Sequence, residues 1–79
     1  MYNHEYFADL TDPIDVALAA YIRAKGTPVP FKRIRKGEYM YGELPIFMMY
    51  NHFHLYVRLC KLGKDYDLIE DFVANYKRV

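Results

Sequence analysis

Hydrophobic positions recur along the chain with two different periods, and the change from one to the other marks its elements. Ile14, Leu18, Tyr21 and Ile22 share one stripe at helical spacing. Just ahead of them, Asp12-Pro13-Ile14-Asp15 reads as a helix start. Asp12 can accept from free backbone amides, Pro13 suits the first helical position, and Asp15 favours the positive end of the helix dipole. The spacing predicts a helix to about Lys25, with Ala17, Ala19 and Ala20 adding propensity and Gly26 providing a left-handed end. Thr27-Pro28-Val29-Pro30 then forbids helix and forces an extended connection.

From Phe31 the period becomes that of strands. Phe31-Lys32-Arg33-Ile34-Arg35, a turn at Lys36-Gly37, and Glu38-Tyr39-Met40-Tyr41 ending at Gly42 predict a first hairpin. Ile46 to Tyr50 and Phe53 to Leu59 predict a second, turning at Asn51-His52. In its last strand Phe53, Leu55, Val57 and Leu59 would face the core, with His54, Tyr56, Arg58 and Cys60 on the other side. After a loop at Lys61-Leu62-Gly63-Lys64, Asp67 and Glu70 have the spacing of a reciprocal capping box. Leu68, Ile69, Phe72, Val73 and Tyr76 follow at helical spacing. The predicted fold is therefore α+β: an N-terminal helix, a four-stranded, mainly antiparallel sheet built from two hairpins, and a C-terminal helix packed on that sheet. Residues 1–79 read as a single domain, with 1–11 as a leader.

Size and composition narrow the picture. A chain of 79 residues buries only about 60 to 65% of its unfolded surface, so its core must rest on large side chains. Nine Tyr, five Phe and no Trp supply them. No apolar run approaches the roughly 18 to 20 residues of a membrane span, and MYNHEYFADL has neither the basic nor the apolar part of a secretory leader. Cys60 is the only cysteine, which excludes an internal disulfide and points to a reducing compartment. The expected location is cytoplasmic, with the nucleus as the other choice.

The formal net charge of +1 conceals a division along the chain. Residues 1–20 carry four acids and no base, whereas residues 21–41 carry six bases against Glu38 alone. The six are Arg23, Lys25, Lys32, Arg33, Arg35 and Lys36. Such a concentration fits an acidic partner, whether nucleic acid, an acidic protein tail or anionic lipid, and it also fits protection of a sheet edge. Tyr39 and Tyr41 share a strand face; core packing is the default reading for them in so small a domain, with a stacking pair for bases as the alternative.

Other chemistry finds little support. His52 and His54 lack partners for a metal site, and Cys60 lies far along the same strand, so no metal or cofactor is expected. The chain contains no Ser, and Cys60 sits in no Cys-His signature, so no catalytic residue is assigned. Asp65, Asp67, Glu70 and Asp71 cluster where carboxylates stabilise a helix start.

Three segments taken together carry a resemblance: Gly37-Glu38-Tyr39-Met40-Tyr41-Gly42, Leu55-Tyr56-Val57-Arg58-Leu59, and Leu68-Ile69-Glu70-Asp71-Phe72-Val73. They resemble the growth-arrest-specific-related (GAR) domain, whose pattern is a Gly-x-Tyr-x-Phe-Gly turn, a Val-Met-Val-Arg-Val-like strand and a closing helix with a Leu-x-x-Phe-Leu-like face. Phe31-Lys32-Arg33-Ile34 is similar to that family's entry strand, and the similarity spans about residues 12–76. Tyr41 stands where the family usually has Phe, and Tyr66 stands in for the Trp of its Gly-Gly-Gly-Trp stretch. The family's cysteines are missing, so no metal site of theirs is carried over. The resemblance implies an α+β fold and microtubule binding.

The expected function is a noncatalytic cytoskeletal binding module that engages acidic tubulin surfaces through Arg23, Lys25, Lys32, Arg33, Arg35 and Lys36. Two alternatives stand beside it. One is a nucleic-acid-binding module using the same bases and the Tyr39/Tyr41 pair; the other is a structural homodimer or complex subunit, suggested by the aromatic excess and the apolar run Ile46 to Tyr50.

Overall fold

The computed structural model describes residues 6–59 and 65–77. Helix α1 (Pro13–Lys25) leads into β1 (Phe31–Arg35), β2 (Glu38–Tyr41), β3 (Leu44–Asn51), β4 (His54–Arg58), β5 (Asp67–Leu68) and helix α2 (Ile69–Asn75). The five strands form one sheet in the order β1-β2-β3-β4-β5, and every neighbouring pair is antiparallel. Four strands were expected. The fifth, Asp67–Leu68, pairs Val57 with Asp67 and Tyr56 with Leu68, and two residues are too few to show a period.

The signals of α1 behave as expected. The Asp12 carboxylate accepts from the Ile14 amide at 3.0 Å, Pro13 opens the helix, and Gly26 ends it at φ 72° with its amide donating to the Ile22 carbonyl at 2.7 Å. The start of α2 differs. Asp67 and Glu70 form no capping box, because Asp67 is committed to β5; Leu68 is the N-cap and has no side-chain hydrogen bond.

The core lies on one face of the sheet. Phe31, Tyr39, Tyr41, Ile46, Met48, Leu55 and Val57 are buried there against Leu18 and Ile22 of α1 and Ile69, Phe72 and Val73 of α2. The intervening residues Met40, Phe47, Met49 and Tyr56 are only half-buried, as period-two strands with helices on a single side require. Tyr41 anchors the aromatic part. Its ring centroid lies 4.8 Å from that of Phe31 and 5.1 Å from that of Phe72, and its hydroxyl donates to the Tyr76 carbonyl at 2.6 Å.

The second hairpin turns one residue later than expected. Asn51 pairs with His54, so the two-residue loop is His52-Phe53, with φ of 50° and 64°. Positive φ at both loop residues matches the right-handed twist of the flanking strands. Both possible turn positions keep the same residues facing the core, but the observed register sets Phe47 opposite Arg58 and extends β3 to eight residues. Its consequence is that Phe53 leaves the strand and stands 88% exposed. The expectation that Phe53 and Leu59 belong to the core is corrected: Leu59 lies beyond the end of β4 and is exposed as well. Cys60 and the loop Lys61-Leu62-Gly63-Lys64 fall outside the described residues.

Candidate functional site

The six expected basic residues do not converge. Arg23 and Lys25 occupy the last turn of α1, where cations suit the negative end of the helix dipole. Lys32, Arg33 and Arg35 lie on β1, a sheet edge, and Lys36 lies in the turn that follows. The connection from Lys25 enters β1 at Phe31, whereas Arg35 and Lys36 stand at its far end, about 17 Å away for five residues at roughly 3.3 Å each.

Arg33 turns inward. Its Nε donates to the Asp12 carboxylate at 3.0 Å and its guanidinium lies 3.8 Å from the Asp9 carboxylate. The acidic N-terminal segment and the basic strand thus partly neutralise each other within the fold, with Arg33 engaged by two carboxylates of the same chain. The hydrogen bond to Asp12, foremost, holds the Arg33 guanidinium even more firmly protonated than usual. The Asp9 carboxyl is held below its ordinary range, mainly by hydrogen bonds from the Thr11 hydroxyl and amide, with Arg33 adding to the effect.

Beside this pair lies a buried carboxylate. Asp15, 1% exposed, accepts from the hydroxyls of Tyr39 at 2.9 Å and Tyr6, and from the Asp9 amide at 2.7 Å. One side chain thereby joins the leader, α1 and β2. Burial, and then the bond to Asp15, push the Tyr6 and Tyr39 phenols well above the ordinary tyrosine range, keeping them as donors.

This arrangement agrees with core packing as the default reading of Tyr39 and Tyr41 and removes the stacking alternative. Tyr39 and Tyr41 are 1% and 0% exposed, so neither ring can receive a base. They share a face as anticipated, but it is the face that both helices cover. On the open face, the Arg58 guanidinium lies over the rings of Phe47 and Tyr66, at 5.6 Å and 4.9 Å from their centroids. Tyr66 thus packs against the β4 arginine from the segment in which it was matched to a Trp.

What stays available is a smaller cationic set. Lys32, Lys36, Arg23 and Lys25 are exposed and form no ion pair among the described residues. Arg35 keeps an exposed pair with Glu38 at 2.8 Å. A surface pair of this kind is worth about 0 to 1 kcal/mol, so the carboxylates of a partner can replace it.

A second feature escaped the sequence reading. The tip of the β3–β4 hairpin presents Phe53 beside a cleft of about 230 Å³ lined by Ala17, Ala20 and Tyr21 of α1, Tyr50, His54 and Leu55 of the hairpin, and Ile69 and Glu70 of α2. The available signal was the absence of glycine from Asn51-His52-Phe53-His54, which left the turn to Asn or His and one neighbour. Both His52 and His54 are exposed, and no group of three or more metal-binding side chains occurs among the described residues. No helix among these residues is long and apolar enough to cross a membrane. No family model, curated protein or solved structure matches the chain.

Proposed function

We propose that the chain is a noncatalytic binding module for acidic protein surfaces, with the carboxylate-rich tails of tubulin as its partner. One observation carries this reading. Lys32, Arg35 and Lys36 stand exposed along one sheet edge and its turn, and neither lysine forms an ion pair among the described residues. The fold needs none of these three charges for its core, whereas Arg33 on the same strand is taken up by Asp12 and Asp9. The resemblance of the Gly37 to Gly42 turn, the β4 strand and the closing helix to GAR domains supports tubulin in particular, and with it a role at the cytoplasmic cytoskeleton. Arg23 and Lys25 form a separate, secondary contact on this reading.

Co-sedimentation with microtubules tests it. The chain is expected to pellet at low salt and to be released as ionic strength rises, because exposed charge contacts are screened over about 10 Å at 0.1 M. The triple reversal Lys32→Glu, Arg35→Glu, Lys36→Glu should abolish pelleting while leaving the circular dichroism spectrum unchanged. Pelleting that survives this reversal overturns the reading. The nucleic-acid alternative loses its stacking pair to the core, and no second observation restores it.

A further inference from the structure

The cleft behind Phe53 lies where α1, α2 and the β3–β4 hairpin meet, and the alternation along β3 explains what lines it. Tyr50 is in phase with Ile46 and Met48, so it faces the helices, but it stands at the end of the strand and stays 39% exposed where those two are buried. Tyr21 of α1, half-buried against the core, lines the cleft from the helix side. Positive φ at His52 and Phe53 is the ordinary requirement of a two-residue turn. What matters here is that the Phe53 ring joins the lining from the turn. Three aromatic side chains thus border one small space that the core leaves open.

The charge beside these rings has one sign. Glu70 is the only carboxylate lining the cleft and no Lys or Arg lines it among the described residues; His54 and the two tyrosine hydroxyls are the other side-chain polar groups there. Glu70 forms no ion pair among the described residues. Burial, and then the Glu70 carboxylate, raise the Tyr21 phenol above its ordinary range, which places that negative charge within reach of the aromatic lining. Ring faces attract a cation held within about 6 Å of their centroids, and a nearby carboxylate adds to the attraction.

Size and hydration narrow the cation further. At about 230 Å³ the cleft is smaller than the roughly 300 to 1,000 Å³ of small-molecule sites. It suits the end group of a side chain whose own backbone finds contacts outside. An unmodified lysine ammonium is strongly hydrated and brings three donors, which aromatic faces satisfy poorly. A fully methylated ammonium has no donor to satisfy and offers apolar methyl groups to the rings.

We propose that this cleft binds a methylated lysine side chain of a partner protein, with the ammonium packed against Tyr21, Tyr50 and Phe53 and its charge balanced by Glu70. This goes beyond the acidic-surface reading: the ligand group has the opposite charge, and the site uses none of Lys32, Arg35 and Lys36.

NMR titration of the full chain reads the site directly. Tetramethylammonium chloride should shift the aromatic resonances of Tyr21, Tyr50 and Phe53, with about millimolar affinity for so small a ligand. A peptide carrying trimethyllysine should bind more tightly than tetramethylammonium, and about tenfold more tightly than the same peptide with unmodified lysine. Choline should bind, whereas dimethylbutanol, its uncharged carbon isostere, should not. Glu70→Gln and Phe53→Ala, both at exposed positions, should each weaken the trimethyllysine peptide about fivefold. Glu43→Gln in the β2–β3 turn and Phe7→Ala should leave it unchanged. Absence of binding, equal binding of choline and its isostere, equal binding of the two peptides, or equal loss from Phe7→Ala and Phe53→Ala overturns the proposal. Choline binding more tightly than the trimethyllysine peptide does so too, by marking the cleft as a site for a free solute.

Discussion

The β1–β2 and β3–β4 hairpins reverse direction by contrasting means. The first turns at Lys36-Gly37, where glycine takes φ 80° without steric cost. The second turns at His52-Phe53, where two bulky residues take positive φ. The contrast extends along the strands. In the first hairpin the residues facing the helices are the large core tyrosines, and the edge is charged. In the second the core residues are Ile46, Met48, Leu55 and Val57, and the most exposed aromatic, Phe53, is at the tip. The first hairpin thus turns on glycine and holds its large aromatics inside, while the second turns on two bulky residues at positive φ and leaves Phe53 exposed.

The most damaging way to break the first hairpin is at its core. Tyr41→Ala is expected to cost about 3 to 5 kcal/mol, the usual range for deleting a buried aromatic. Much of a small domain's stability would go with it, as chemical denaturation would register. Asp15→Ala should follow, at about 2 to 3 kcal/mol, because it strands the donors of Tyr39, Tyr6 and Asp9. The same cluster has a pH signature. Since the folded state raises the Tyr39 and Tyr6 phenols above their ordinary value of 10.0, their contribution is fully present below pH 10 and is lost as pH rises beyond it. Phenolate absorbance should therefore show a fraction of the tyrosines titrating only with alkaline unfolding.

At the second hairpin the sign reverses. Phe53→Gly should stabilise the fold by about 1 kcal/mol, because glycine accepts positive φ freely. A destabilising result would mean that the ring contributes to packing against the helices. The comparison would then lose its basis.

Legibility in the sequence followed the same division. Asp12, Pro13, Asp15 and Gly26 announced α1 because caps act locally, and Lys36-Gly37 announced the first turn for the same reason. The second turn was misplaced by one residue because no glycine marked it and either position kept Leu55 and Val57 facing inward. β5 was missed because Asp67 and Leu68 resemble a helix entry until Val57 and Tyr56 are placed beside them. Among the candidate binders, Lys32, Arg35 and Lys36 were legible as exposed charge. The pairing of Arg33 with Asp12, twenty-one positions away, depends on how α1 crosses the sheet, which no local pattern encodes. For Tyr39 and Tyr41 the alternation identified a shared face, but only the placement of the helices, α1 with Asp15 against Tyr39 and α2 with Phe72 against Tyr41, decided that this face was the inside.

The simple strand order has a kinetic consequence. Each strand pairs only with its neighbours in sequence, and the first three pairings close through two-residue loops, so little chain entropy is spent in bringing those partners together. Assembly can begin at either hairpin and spread outward, in the millisecond regime of mixed domains with largely local contacts. The bond from the Tyr41 hydroxyl to the Tyr76 carbonyl, spanning thirty-five positions, is then among the last to form. It should report completion of folding rather than its onset, so that weakening it would hasten unfolding and leave the folding rate nearly unchanged.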